Sequence, residues 1–417
     1  MTPPRRDRAP QSVAIVGGSL AGYRTVQALR GFGYRGTIHL IGEEPHLPYD
    51  RPPLSKGYVA RTLDEDQIWL ATLLELDSLG VTLALGRSAI HLDPDGRRLE
   101  LDDGTQLTYD AVVVATGARP RLVAGLTETS RPPTVRTLRT IEDARYLSDR
   151  LAGEGGSSGV QLVVVGAGFI GSEVAWTGLQ LGADVTVIDS FDAPMSAALH
   201  SEMGEILAVR QRDAGVRLRM QSTVREIMVE SDPGGLQRTE VRFADQTSVN
   251  ADVIVVGVGV APNTAWLEGS GLTLDDGLVC DAALRAHDGV FGVGDVTRWG
   301  NPGGPTRRLE HWTNAAAQAE HVARCIAGAD HTVPFTNVPY YWSDQFGFRL
   351  EVIGEPPADC DLQIVWGSPS RSFVALYRRG SEVLGCVGLD ARPQMLKMRR
   401  ALSASASWAE TAAAMVF

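Results

Sequence analysis

Cysteine is scarce in this 417-residue chain, which has four, at Cys280, Cys325, Cys360 and Cys386. No two stand at CxxC or CxxxxC spacing, which excludes zinc-finger frameworks and a redox-active dithiol. All four are expected to be buried structural thiols. None of the eight histidines has a His or Cys partner at ligand spacing, so no metal site is expected. Positive charge is also short: 39 Lys and Arg stand against 50 Asp and Glu, a formal net charge of −11. That is the reverse of the basic footprint nucleic acid requires. No run approaches the ~20 apolar residues of a membrane span. The leading MTPPRRDRAPQS has no apolar stretch, so no secretory signal is expected. The expected location is the cytoplasm. A Ser/His/Asp or Cys/His nucleophile arrangement is missing too.

What the chain does have is glycine, 45 residues of it, with 44% hydrophobic and 21% charged residues. This is the composition of an ordinary α/β protein with many turns. The length implies two or three domains.

Two of the glycine-rich stretches are alike: VAIVGGSLAG at 13–22 and LVVVGAGFIG at 162–171. Each follows a run of β-formers, opens a predicted helix (20–32; about Gly168 to Leu181), and precedes a second strand (37–42; 183–189). An acidic residue closes each unit, Glu43 after the first and Asp189 after the second. In such a βαβ turn the first glycine permits the bend and the second lets a pyrophosphate approach the backbone. The third lets helix meet strand, and the acid accepts from ribose hydroxyls. An empty packing turn is the alternative for either copy alone. Two copies together imply two dinucleotides and electron transfer between them.

The repetition continues along the chain. Antiparallel insertions are expected over 81–101 and 216–249, with turns at DPDGR and SDPGG. Buried strands follow, YDAVVVATGARP (109–120) and ADVIVVGVGVAPN (251–263). Further helices are expected over Ile141 to about Leu151, 200–213 and Thr313 to Gly328, with GEGGSSG (153–159) as a loop. After about residue 331 the texture becomes short amphipathic strands, then a basic helical tail (393–402) and an Ala/Ser-rich end. The expected fold is α/β: two Rossmann-like dinucleotide-binding domains and a smaller α+β carboxy-terminal domain. Their expected bounds are 1–120 with 256–330, 121–255, and 331–417.

The set GGSLAG, PYDRPPLSK (48–56), ATGARP, GAGFIGSEVA, GVGVAPN and VGD resembles the two-dinucleotide flavoprotein reductases. With YWSDQFG (341–347) added, it is similar to their oxygenase-coupled branch, the FAD-dependent NADH:ferredoxin reductases without the dithiol. The resemblance runs from about residue 12 to 400. PYDRPPLSK discriminates best, because the dithiol branch carries its cysteines in that region.

The resemblance implies FAD on the first unit, at Gly17, Gly18, Ser19, Ala21, Gly22 and Glu43. Ser19 departs from the glycine pattern. Arg51 and Pro52, read with Pro53 as a rigid extended segment, precede Lys56, which the resemblance sets near the flavin N5 edge. Ala89, Ala115, Thr116, Gly117, Arg139, Asp295 and Trp312 complete the FAD set. The nicotinamide cofactor is assigned to Gly166, Gly168, Phe169, Ile170, Gly171, Glu173, Asp189 and Gly259. Asp189 would repel a 2′-phosphate, and Ser190, Phe191 and Asp192 supply no cation, so NADH is expected rather than NADPH. Glu173 is expected to contact the nicotinamide and pair with Lys56; a first-turn glutamate favoured by the helix dipole is the alternative.

Lys56 and Glu173 are therefore the candidate catalytic residues, with no metal. The implied activity passes electrons from NADH through FAD to a ferredoxin that feeds an oxygenase. A rubredoxin reductase, an NADH oxidase and a redox-sensing flavoprotein stay open as alternatives on the same scaffold. Trp342 is read either as a core residue or as part of an exit route. Arg392, Lys397, Arg399 and Arg400 are read either as a solvated helix face or as a surface that steers an acidic ferredoxin. No nucleic acid or membrane partner is expected, and the chain is expected to be a monomer or weak homodimer.

Overall fold

The computed structural model describes residues 10–123, 125–127, 129–152, 159–231, 237–300, 305–328, 333–357 and 359–403. The leader up to residue 9, most of the GEGGSSG loop and SDPGG turn, and the Ala/Ser-rich end lie outside the described residues. The chain divides into two compact units. One comprises Met1–Asp50, Asp66–Arg119 and Ala261–Asn337. The other comprises Arg51–Glu65, Pro120–Val260 and Val338–Phe417.

The first unit is built on a six-stranded sheet ordered Arg285–His287, Val290–Gly292, Ala111–Val114, Ser12–Val16, Thr37–Gly42, Val81–Leu85. All neighbours are parallel except the first pair. Ala111, Val112, Val113 and Val114 are all buried, as unbroken apolar strands must be when both sheet faces are covered. Helices Leu20–Gly31 and Trp312–Ile326 cover it, adding Val26 and Leu29, Ala319, Val322 and Ile326 to one core.

The second unit repeats the plan. Its sheet runs Val135–Arg136, Val253–Val256, Gln161–Val165, Asp184–Ile188, Arg217–Arg219, all parallel. In both units the glycine-turn strand lies between the strand that follows the insertion and the second strand of the βαβ. An aspartate locks each copy: Asp110 Oδ2 accepts from the Ser12 backbone N–H (3.1 Å), and Asp252 Oδ2 from that of Gln161 (2.8 Å). The fold is thus α/β with two Rossmann-like units, to which a carboxy-terminal α+β domain is added.

That domain is a five-stranded antiparallel sheet ordered Tyr340–Gln345, Phe348–Gly354, Glu382–Leu389, Phe373–Arg379, Asp361–Gly367. One face buries Leu350, Val352, Phe373 and Tyr377 with Met195, Leu199, Met203 and Leu207. The other buries Met395 and Met398 of helix Arg392–Ser403 against Ile353, Val374 and Leu376.

Three local readings change. Val81–Leu85 and Arg217–Arg219, expected within antiparallel insertions, instead extend the parallel sheets as edge strands. Edge strands are half exposed, so their sequences lack the continuous apolar run of a central strand. The antiparallel sheets begin later, at Ala89–Asp93 and Val224–Ser231. Pro52–Ser55 is a 3-10 turn rather than an extended segment, because proline's fixed φ and missing N–H suit the first position of a helical turn. Finally, Cys280, Cys325 and Cys386 are buried but Cys360 is only partly so.

Candidate dinucleotide sites and a part-buried ion pair

The two glycine turns share one construction. Gly17 N–H donates to the Ile41 carbonyl and Gly166 N–H to that of Ile188, both at 2.8 Å. Gly17 and Gly166 have φ of +127° and +109°, a region L side chains avoid. A Cβ on Gly17 would stand 2.1 Å from the Ala115 carbonyl oxygen, and one on Gly166 would stand 2.2 Å from that of Gly257. A Cβ on Gly22 would meet the Gly17 oxygen at 1.9 Å, and one on Gly171 the Gly166 oxygen at 2.0 Å. First and third glycines are therefore required by the protein's own packing.

The middle position differs. Gly168 has φ −76° and a Cβ there would meet no protein atom within 4 Å. Ser19 stands at the matching place with φ −108°. Helices Leu20–Gly31 and Phe169–Leu181 start directly behind these residues with no side-chain cap and no acid in the first turn. An uncapped helix N-terminus fits a pyrophosphate on both turns, and on the second the space before it is open at Gly168.

The acids are not equivalent. Asp189 accepts from the backbone N–H of Ala167 (2.6 Å) and of Phe191 (3.0 Å), so its carboxylate is fixed at the turn with lone pairs left for ribose hydroxyls. Glu43 is exposed and stands two residues after Ile41, the partner of Gly17, whereas Asp189 directly follows Ile188, the partner of Gly166. The place matching Asp189 is taken by Gly42, where a Cβ would stand 3.3 Å from the Gly18 Cα. An arginine absent from the sequence argument lies near Asp189: Arg219, whose carbonyl accepts from the Asp189 N–H (3.1 Å). Its guanidinium is held by Asp245 (2.8 Å) and lies 3.8 Å from the Phe243 ring centre.

Around the first turn, Ala115 N–H donates to the Val16 carbonyl at 2.7 Å. Thr116 exchanges hydrogen bonds with Asn263, and the Asn263 N–H reaches the Gly117 carbonyl. Asn263 was not singled out in the sequence, although it closes the GVGVAPN motif. Ala89 begins the first strand of the antiparallel insertion. Gly294 brings Asp295 to the start of the first glycine helix: a Cβ on Gly294 would be 3.2 Å from that of Ala21. Trp312 opens its helix and donates through Nε1 to Asp50 (2.7 Å). Burial pushes His311, just before it, down to about 4, and holds the Glu310 carboxyl above its usual range.

The remaining residues assigned to FAD belong to the second unit. Arg51 donates to the carbonyl of Arg139, whose N–H is held by Asp143 (2.9 Å). Lys56 follows the 3-10 turn, and its Nζ lies 2.6 Å from Glu173 Oε2 and 2.9 Å from the Pro52 carbonyl. Glu173 sits in the second turn of its helix, not the first, and is 6% exposed. Ser55 Oγ also donates to Glu173 Oε2 (2.5 Å), and Ser343 Oγ to Oε1 (2.6 Å). Ser55 and Ser343 lie within PYDRPPLSK and YWSDQFG, but neither residue was singled out in the sequence. Gly259, with φ of +98°, accepts from the Arg121 N–H. Ile170 is exposed, and Phe169 packs edge-on to Tyr341 at 5.4 Å.

In the same unit, Trp342 is stacked on Tyr340 (5.9 Å), with Arg349 5.3 Å from its ring. Arg392, Lys397, Arg399 and Arg400 all project from the exposed side of their helix, Arg399 over Tyr340. Burial raises the thiols of Cys280 and Cys386, so neither is poised as a thiolate.

Residues 11–319 match the family described as pyridine nucleotide-disulphide oxidoreductase, and 340–415 match a reductase carboxy-terminal domain. The chain belongs to the pyridine nucleotide-disulphide oxidoreductase family. It is 34% identical to rhodocoxin reductase of Rhodococcus erythropolis over 94% of this chain and 89% of that one. It is 35% identical to the ferredoxin reductase component of a chlorobenzene dioxygenase from Cupriavidus sp., over 95% and 93%. The solved covalent complex of putidaredoxin reductase with putidaredoxin matches with a TM-score of 0.88 and 28% identity, over 95% and 94%. The protein is accordingly an oxidoreductase that works with FAD and NAD(H). Among the described residues no helix is long and apolar enough to cross a membrane.

Proposed function

We propose that this protein oxidises NADH and passes the electrons singly to a ferredoxin that feeds an oxygenase. What carries the reading is the pair of like-built glycine turns, each before an uncapped helix, in a chain with no cysteine pair to take the electrons. FAD supplies the exchange between a hydride donor and one-electron acceptors. The first turn, with Asp295 and the Thr116–Asn263 clasp, is the FAD seat, and the second is the NADH seat. Fixed by two backbone N–H groups, Asp189 accepts from the free ribose and repels a 2′-phosphate.

Lys56 and Glu173 are assigned to the hydride step. Lys56 supplies a fixed positive charge to favour the negative charge that develops as hydride arrives, and Glu173 holds that ammonium in place. The exposed cations of helix Arg392–Ser403 are assigned to attracting the acidic carrier. The domain bounds follow the same assignment: FAD on 1–120 with 256–330, NADH on 121–255, and the carboxy-terminal domain beyond. NADH is held inside cells, so the reading assigns the reaction to the cytoplasm.

Steady-state NADH oxidation against a panel of ferredoxins and rubredoxins tests the proposal. Fast, saturable reduction of a ferredoxin is expected. Rapid NADH consumption in air without any carrier would instead make the protein an oxidase, and preference for rubredoxin would change the partner.

A further inference from the structure

The strand Tyr340–Gln345 belongs to the carboxy-terminal sheet, yet one of its faces is devoted to helix Phe169–Leu181. Residues alternate along a strand, and Tyr341, Ser343 and Gln345 share that face. Residues Phe169, Glu173 and Thr177 are spaced i, i+4, i+8 and share one face of the helix. The two rows engage in register: Tyr341 meets Phe169, and Ser343 meets Glu173.

Ser343 and Gln345 are fully buried polar groups, 0% and 1% exposed. Gln345 Nε2 donates to Ser343 Oγ at 2.9 Å, which leaves the single Ser343 hydroxyl proton for Glu173 Oε1. The two carboxylate oxygens are thereby divided. Oε2 takes Lys56 and Ser55, both from the PPLSK turn, while Oε1 takes Ser343 from the carboxy-terminal sheet. No packing need of the sheet explains two buried polar residues in this row, because an alanine and a leucine would fill it without burying polar atoms.

We propose that Ser343, oriented by Gln345, is a positioning residue that fixes the Glu173 carboxylate and, through it, the Lys56 ammonium for the hydride step. The inference rests on the reductase reading for its function but not for its geometry. Without the Ser343 hydroxyl, Oε1 is a buried charged acceptor with no donor. A buried acceptor in that position turns toward water, which pulls Oε2 off Lys56 and loosens the ammonium.

The test uses FAD-loaded protein and the variants Ser343→Ala, Ser343→Thr and Gln345→Leu, with melting temperatures to confirm folding. The chain has lysine only at Lys56 and Lys397, so an amine-acylating reagent with peptide mass analysis reads Lys56 directly, with exposed Lys397 as internal reference. Ser343→Ala should raise the Lys56:Lys397 labelling ratio several-fold, Gln345→Leu should raise it less, and Ser343→Thr should restore it. In anaerobic single turnovers, Ser343→Ala should slow the NADH-dependent bleaching about tenfold, the scale of one lost hydrogen bond to a charge. Its NADH Kd and flavin content should change less than about twofold. An unchanged labelling ratio in Ser343→Ala overturns the proposal, as does a rate loss that threonine fails to rescue. If the unaltered protein does not react with NADH, the reductase reading falls, and the labelling ratio still decides the coupling of Ser343 to Lys56.

Discussion

Replacing Gly168 with a series of larger residues asks whether the open space over the second glycine turn is a nucleotide's seat. Gly168 has ordinary φ and no protein atom within 4 Å of an added Cβ. Alanine there should change stability by less than about 1 kcal/mol, because the gain from restricting the unfolded chain is offset by alanine's poor fit at a helix N-cap. Serine, already present at the matching Ser19, should weaken NADH binding only a few-fold. Valine projects a second carbon into the space and should cost at least one N–H···phosphate bond. A hydrogen bond to a charge is worth about 1.5–3 kcal/mol, so KM for NADH should rise about tenfold to hundredfold.

Gly166→Ala is the contrast. Its φ of +109° forces a strained backbone, and its Cβ would lie 2.2 Å from the Gly257 carbonyl oxygen. Strain of about 1–3 kcal/mol and a comparable overpacking cost predict a melting temperature lower by about 5–15 °C for a domain of this size. Thermal melts and NADH kinetics on the same preparations separate the two effects. An unchanged KM in Gly168→Val would show that the space is not the nicotinamide cofactor's seat. An unchanged melting temperature in Gly166→Ala would refute the packing argument.

Asp189→Ala should raise KM for NADH far more than it changes bound flavin, and steady-state kinetics with flavin absorbance would check both; an unchanged KM would move the cofactor site elsewhere. Reversing charge at Arg399 and Arg400 should slow ferredoxin reduction at low salt while sparing ferricyanide reduction. Equal rates in both assays would remove the steering role. His311 should make folding pH-dependent, since burial pushes its imidazole down to about 4 from 6.5. As pH falls below 6.5, the unfolded chain takes a proton that the folded chain refuses, so a stability contribution complete above that pH is lost on the way to 4. The gap amounts to about 3 kcal/mol. His311→Asn should flatten urea-denaturation stability over that window, and parallel profiles would refute the assignment.

The central strands and the glycine turns were legible because they obey local rules: unbroken valine runs for a twice-covered sheet, and glycine where a Cβ has no room. Val81–Leu85 and Arg217–Arg219 were misplaced because an edge strand, open on one side, can carry the same short alternating pattern as a hairpin strand. Helix Leu73–Ser78 was overlooked although its T-x-x-E capping box, Thr72 with Glu75, stands in the sequence. The paired aspartates Asp110 and Asp252 were readable as well, each directly preceding a repeated apolar strand. Lys56 and Glu173 were singled out by motif, and the structure brings them together. Ser343 and Gln345 lie in the YWSDQFG motif, but nothing in it pointed to Glu173. A serine or glutamine carries no mark of its partner, and these two depend on a register between a strand and a helix 170 residues apart at the Ser343–Glu173 contact. Arg219 was missed for the same reason: its nearness to Asp189 is a matter of strand pairing.

On the proposed reading, NADH delivers electrons through the flavin to a one-electron protein carrier. Anaerobic titration of the FAD-loaded protein with NADH, followed by addition of oxidised ferredoxin, tests it in one vessel. The expected result is loss of the yellow flavin colour with NADH, then its return as about two ferredoxins are reduced per NADH. Flavin that stays yellow with NADH, or that bleaches and then passes nothing to any ferredoxin, would rule that path out.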